Sequence, residues 1–390
     1  MLSLIDYLTI KFIKQRQIFF CLLLSAATLF GVSAASAASN NPHVSILQYH
    51  HVSESTPAVT SISPSQFEAH MAYLDEFHTV VALEDVVAAF ANKTMLPENA
   101  VAITFDDGYK NILENGHPIL QKYGFKYTIF INPSEIGSSQ AQLNWTEVKL
   151  MASQGVTFAN HTLDHAHLLT RYPRESDENW RKRVRKDITT AETLIQEQVG
   201  YSRKWLAYPY GEFDLALQAL LEEIGFVGFG QQSGTAAWYS NQFALPRFPA
   251  AGRYANLDTL ITKMRSLAMP VLHVKPMEPK VAVGQSPGNV SISVDTDGMN
   301  VRQFACYFKG DKLEINTRTL SAQETSLLQN RIYQGAPESA VVEFSFDINE
   351  VLSPGRSRVN CTAPSTQTNG RFFWYSMPWF TATEDGEYLD

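Results

Sequence analysis

Cysteine is almost absent from this chain of 390 residues: there are three, at positions 21, 306 and 361. So sparse a set excludes a disulfide-built scaffold and the grouped thiolates of a cysteine zinc site. Charge is also modest, with 18% charged residues and a net charge of −8. A negative chain does not suit nucleic acid, whose phosphates call for a basic surface. No internal repeat or low-complexity tract interrupts the sequence. Nor does any apolar run reach the roughly 20 residues of a membrane-spanning helix.

What is present begins with a processing signal. Lys11, Lys14 and Arg16 precede an apolar stretch from Ile18 to Val32, and Ala35-Ser36-Ala37 supplies a small-residue cleavage site. This pattern reads as a secretory signal peptide over residues 1–37, with a non-cleaved anchor as the alternative. The mature chain is expected in the periplasm or outside the cell, with no membrane span. Cys21 leaves with the signal. Cys306 and Cys361 remain as an even pair in an oxidising compartment, so a disulfide between them is expected.

Size predicts two domains. Over residues 38–274, short apolar runs alternate with helical stretches. Val44–Tyr49, Val101–Phe105, Tyr127–Ile131, Val156–Ala159, Trp205–Ala207 and Phe226–Gly230 read as strands. Between them, Ser65–Phe77, Tyr109–Tyr123, Asp177–Gln198 and Leu215–Ile224 carry helical spacing. Such alternation predicts an α/β fold with a parallel sheet, open or closed into a barrel. Residues 275–289 form a Pro- and Gly-rich linker. From 290 to 390 the runs Val290–Val294, Val301–Phe308, Leu313–Thr317, Ala340–Phe346 and Arg371–Ser376 predict a small all-β sandwich.

Three polar segments fall at strand ends, where parallel α/β folds carry their chemistry. Thr104-Phe105-Asp106-Asp107-Gly108 sets two carboxylates side by side. Buried, such a pair needs a cation; exposed, it is an ordinary Asp-Gly turn. Asn160-His161-Thr162-Leu163-Asp164-His165 holds two histidines four apart, able to converge on one metal, with His167 close by. Imidazole and carboxylate together suit zinc or another late divalent metal with positions open to water and substrate. Ala207-Tyr208-Pro209-Tyr210-Gly211 can form a rigid wall with an inward backbone N–H.

In this order and at this spacing, the three segments resemble the motifs of the polysaccharide deacetylases, the NodB-homology domain of carbohydrate esterase family 4. Leu47–Val52 and Asn144-Trp145 agree with the family's flanking stretches, and the resemblance spans about residues 44–270. It implies a distorted (β/α) barrel, here followed by the β sandwich, and hydrolytic removal of acetyl groups from N-acetylhexosamine-containing poly- or oligosaccharides. By resemblance Asp107, His161 and His165 hold the divalent metal, zinc foremost with cobalt or nickel as alternatives. Asp106 is the catalytic base, and the Tyr210 N–H is a second donor to the oxyanion. The family's third motif carries an arginine where this chain has Ala207. Arg247, in Leu245-Pro246-Arg247-Phe248, is the candidate to pair with the base instead. The family's late histidine motif is matched best by Val271-Leu272-His273, which makes His273 the candidate general acid. His50 and His51, at the end of the first strand, could face the same site.

Two other activities would keep much of this set: an O-acetyl esterase acting on a glycan, or a glycan-binding protein without turnover. A binding module has no need of a base, so the intact Asp106–Asp107 pair and both histidines favour an enzyme. Arg371-Phe-Phe-Trp-Tyr375 and Trp379-Phe380 concentrate aromatics late in the chain, either as a sugar-binding face or as a packing and docking surface. The expected partner is an acetylated glycan. Which glycan, and what oligomeric state, the sequence leaves open.

Overall fold

Short strands buried on both faces run through the first two-thirds of the chain, as parallel strands covered by helices must be. The computed structural model describes residues 42–328 and 339–389. The expected signal segment 1–37, with Cys21, lies outside them. Six parallel strands lie side by side in chain order: β1 (His43–Tyr49), β2 (Ala100–Phe105), β3 (Thr128–Ile131), β4 (Thr157–Asn160), β5 (Trp205–Ala207) and β6 (Val227–Phe229). Every residue of β2 and β3 is buried.

The sheet curls until its ends nearly meet. Leu245 bridges Phe229 of β6, and β7 (Phe248–Pro249) pairs in parallel with Leu47 and Gln48 of β1. The segment 245–249 is therefore the stave that links the last strand to the first, and Arg247 stands within it. Helices cover the outside. Asp177–Val199 is the longest among the described residues, capped by Ser176 and ended by Gly200 in the left-handed conformation. Its buried stripe, Trp180, Val184, Ile188, Ala191 and Ile195, has the helical period. The stretch expected as one helix from Tyr109 to Tyr123 divides into a π-helical turn, Ile112–Gly116, and the α-helix His117–Lys122. Pro118 supplies no N–H, and π turns of this kind are frequent beside functional sites.

From Leu267 onward the strands form two further sheets. One contains β8 (Leu267–Ala268), β11 (Ala305–Phe308), β12 (Asp311–Lys312), β15 (Gly355–Pro364) and β16 (Phe372–Thr381). The other contains β9 (Val271–Lys275), β10 (Gly288–Asp295), β13 (Asn316–Thr319) and β14 (Val341–Ile348). They close over one core, in which Val290, Ile292, Phe344 and Phe346 meet Val359, Ala363 and Trp379. Cys306 and Cys361 face each other across β11 and β15 and are joined by a disulfide. These sheets already include strands at Leu267 and Val271, upstream of the Pro- and Gly-rich segment.

The longest strand of the sandwich region absent from the sequence-based assignment, β15, alternates core residues (Val359, Cys361, Ala363) with polar ones (Arg356, Arg358, Asn360). Its polar face continues across β16 and lies against the barrel. Trp374 meets Phe248 edge-on at 5.7 Å, and Phe380 meets Phe213 at 5.4 Å. The late aromatics thus divide between the sandwich core and the docking face.

Candidate active site

The carboxyl ends of the barrel strands gather the chain's unusual polar residues. Asp106 and Asp107 follow β2 in a turn where Asp107 and Gly108 both have positive φ, 72° and 73°. A Cβ at Gly108 would come within 2.9 Å of Ile131 Cγ2, so both backbone angle and space require glycine there. His161 follows β4, its N–H bonded to Ile131 O at 3.0 Å. Its neighbour Thr162 sits at φ 72° and His165 at 61°. A β-branched residue in that region is strained. Asn160 Oδ1 accepts from the Thr162 N–H at 2.8 Å, and the Asn132 amide donates to the His161 and Thr162 carbonyls. Backbone strain held by surrounding bonds in this way clusters at functional sites.

The structure brings Asp107, His161 and His165 together, with one ligand atom from each lying within 4.8 Å of the others. Asp107 Oδ1 is 3.2 Å from His161 Nε2 and 3.4 Å from His165 Nε2. A carbonyl can only accept, so His161 Nδ1 carries the hydrogen that it gives to Ala207 O at 2.7 Å. In the neutral ring that leaves a lone pair on Nε2, facing a carboxylate oxygen. Neither buried atom has a geometrically formed hydrogen bond. Two acceptors face to face at this distance require a cation between them, and a donor set of two imidazoles and a carboxylate fits a late divalent metal.

The ionisation pattern expresses the same demand for positive charge. Burial alone would raise the Asp107 carboxyl, but the close approach of His161 and the charges of His50, His161 and His165 hold it well below the usual range. Burial would likewise depress His161, yet Asp107 and Asp106 raise it. His165 is pushed down to about 4 by burial and by His161 beside it.

Asp106 is fully buried. Arg247 reaches it from the closing stave, Nη1 to Oδ1 at 2.7 Å and Nη2 to Oδ2 at 2.8 Å. Arg247 Nε donates to Gly230 O, which fixes the fork in place. Burial opposes ionisation of Asp106, and the Arg247 and His161 charges outweigh it, so its carboxyl stays below the usual range. The side-chain amide of Gln48 donates to Oδ2 at 2.6 Å. His50 Nε2 stands 4.0 Å from the same oxygen.

Tyr210 also belongs to the cluster. Its ring packs edge-on against His165 at 4.5 Å and stacks on His167 at 3.8 Å. His167 is held in turn by the buried carboxylate of Glu212 at 2.9 Å. His273 is not brought to this site. It lies on β9, paired with Ser293 of β10, and its charged neighbours are Glu343 and Lys275. The physical reason is that β9 leaves the barrel to pair in the second sandwich sheet. Gln48 and Tyr109 were not anticipated. Gln48 is the one polar side chain between Leu47 and Tyr49 in an otherwise apolar strand end, a usable signal in hindsight. Tyr109 stacks on His51 at 3.7 Å, its hydroxyl is raised by burial and by the nearby Asp107 charge, and no pattern in the sequence pointed to it.

Comparison with known proteins agrees with this arrangement. A family model described as polysaccharide deacetylase matches residues 93–229. YxkH of Bacillus subtilis (strain 168), whose designation as a polysaccharide deacetylase is itself provisional, is 29% identical over 204 residues, 52% of this chain and 69% of that protein. The poly-beta-1,6-N-acetyl-D-glucosamine N-deacetylase of Staphylococcus aureus (strain MRSA252) is 27% identical over 193 residues, 48% of this chain and 67% of its own length. The structure of the Streptococcus pyogenes deacetylase PplD in complex with acetate superposes with a TM-score of 0.51 at 22% identity, covering 57% of this chain and 98% of that one. At that identity the superposition speaks for a shared fold. By sequence match over residues 93–229, by fold and by the residues gathered at its strand ends, the barrel of this chain is similar to the polysaccharide deacetylases.

Proposed function

We propose that the protein is an exported, metal-dependent N-deacetylase that hydrolyses the acetamide groups of an N-acetylhexosamine glycan. The observation that carries this reading is the pairing of a buried, arginine-held carboxylate with an adjacent two-histidine, one-carboxylate cluster. A binding protein would gain nothing from the buried Asp106–Arg247 pair, which costs desolvation unless it serves chemistry or specificity.

Asp107, His161 and His165 would hold the ion, zinc foremost. When bound, it polarises the acetyl oxygen and makes water acidic at neutral pH. Asp106, kept ionised by Arg247, accepts a proton from the attacking water. The Tyr210 N–H donates to the oxygen that becomes negative as the carbonyl carbon turns tetrahedral. The departing nitrogen needs a proton as the C–N bond breaks. His50 is better placed to deliver it than His273, because its imidazole faces Asp106 whereas His273 lies on the sandwich. The products are acetate and a free amine.

The named activity of the Staphylococcus aureus relative makes β-1,6-linked N-acetylglucosamine the first substrate to try. The test is acetate release from β-1,6- and β-1,4-linked oligomers by chelator-stripped protein, before and after zinc is returned. Zinc-restored release that Asp106→Asn abolishes supports the reading. Release from O-acetylated but not N-acetylated glycans would replace it with an esterase, and retained glycan affinity without any release would replace it with a binding protein.

A further inference from the structure

The sandwich does more than dock on the barrel. Arg356, at the start of β15, extends its guanidinium to the active-site rim, where Nη1 donates to Tyr210 O at 2.6 Å and to Gln231 Oε1 at 2.5 Å. Tyr210 follows β5 and Gln231 follows β6, so one side chain from the accessory region ties together two adjacent loops at the carboxyl end of the barrel.

Tyr210 needs such a tie. It lies at φ 56° inside the short 3₁₀ turn Pro209–Gly211, an unfavourable region for any residue with a Cβ. A conformation of this kind costs on the order of 1–3 kcal/mol and persists only where its surroundings over-determine it. The ring of Tyr210 is fixed by His165 and His167. The Tyr210 carbonyl shares its peptide plane with the Gly211 N–H, which donates to Tyr208 O at 2.9 Å, and Arg356 adds a second hold on that plane from the neighbouring domain. Gly211 follows at φ 71°, and a Cβ there would lie 2.7 Å from Gln231 Cβ. The two loops are therefore in close contact, and Arg356 bonds to both.

We infer that Arg356 is a positioning residue for the reaction: it holds in its working shape the Pro209–Gly211 turn on which the Tyr210 N–H, the proposed oxyanion donor, stands. The inference rests on the deacetylase reading for its catalytic meaning, but the geometry of the tether does not. A catalytic barrel whose loop is held by a second domain depends on that domain for rate more than for substrate binding. Arg358 provides the internal control. It lies two residues along the same strand, on the same face, but donates to the Tyr254 hydroxyl at 2.8 Å rather than to either loop.

The test compares Arg356→Ala, Arg356→Lys and Arg358→Ala in the full chain by two measurements. The first is hydrogen–deuterium exchange of the peptide spanning residues 208–213. It should speed up about tenfold in Arg356→Ala and stay at the wild-type rate in Arg358→Ala. The second is acetate release with zinc supplied. Arg356→Ala should lose about tenfold to a hundredfold in kcat, with KM within about twofold, and Arg356→Lys should regain part of the loss. Unchanged exchange overturns the inference whatever the activity. Faster exchange with unchanged kcat also overturns it. Should the wild-type protein release no acetate at all, the deacetylase reading falls, while the exchange experiment still decides whether Arg356 holds the turn.

Discussion

Arg247 grips both oxygens of Asp106 from a stave of the barrel 141 residues further along the chain, and neither side chain reaches solvent. A pair of this kind is far costlier to break than its net contribution to stability, because removing one partner strands the other charge in a dry interior. Arg247→Ala is therefore expected to destabilise the fold by about 3–5 kcal/mol as well as to abolish acetate release. Urea unfolding measures the first effect. Arg247→Lys keeps the charge but not the fork, and should recover part of the stability with little of the activity. Wild-type stability in Arg247→Ala would mean that the pair is not held as described.

The facing acceptors of Asp107 and His161 predict a pH-dependent metal affinity. A proton and a metal compete for His161 Nε2, and Asp107 and Asp106 raise the affinity of that nitrogen for the proton. Zinc binding, followed by calorimetry with His161→Ala as reference, should weaken as pH falls, beginning at a higher pH than an ordinary imidazole would dictate. Asp107→Asn should lower affinity at every pH. A flat pH profile would count against these residues as the ligands.

The Cys306–Cys361 bond closes a separation of 55 residues between two sandwich strands. On the chain-entropy model it stabilises by about 4 kcal/mol, with 2–4 typical of measured cases. Thermal unfolding in the presence of reductant, or of Cys306→Ala, should show a clear loss of stability. Equal melting with and without reductant would show that the bond contributes nothing.

Asp187, on the helix Asp177–Val199, accepts the Leu163 N–H at 3.1 Å just behind the histidine segment. Burial raises its carboxyl to about 6. Protonation is thus favoured in the folded state, so this group's contribution to stability is present below about pH 4 and is lost as pH rises through about 6. Asp187→Asn keeps an acceptor for Leu163 and removes the charge. Relative to wild type, it should gain on the order of 1–3 kcal/mol between pH 4 and pH 7.5, read by denaturant unfolding at each pH. A mutant-to-wild-type difference that does not change with pH would contradict this.

Much of the barrel was legible because its strands are short, β-branched and aromatic, and separated by helical stripes such as Trp180–Val184–Ile188. Strand β15 was not. Arg356, Arg358 and Asn360 make one of its faces polar, and that face is used only because the barrel lies beside it, with Arg356 exposed and the other two half-buried. The Tyr109–Tyr123 stretch read as one helix because apolar spacing does not register a π turn. His273 matched a local pattern, yet pairing with Ser293 carried it into the sandwich, whereas His50 reached the Asp106 neighbourhood from the first strand.

The sequence by itself determined the residue types and the strand ends at which they stand: the two aspartates, the histidines four apart, and the Tyr-Pro-Tyr-Gly turn. Local order suffices for these, because each segment follows its own strand directly. Tertiary structure decided which distant groups join them. Closure of the sheet through residues 245–249 delivers Arg247 to Asp106, and docking of the sandwich delivers Arg356 to Tyr210. Both contacts span more than a hundred residues of chain. They depend on how the strands curl and which faces meet, a long-range packing outcome that no local pattern of residues encodes.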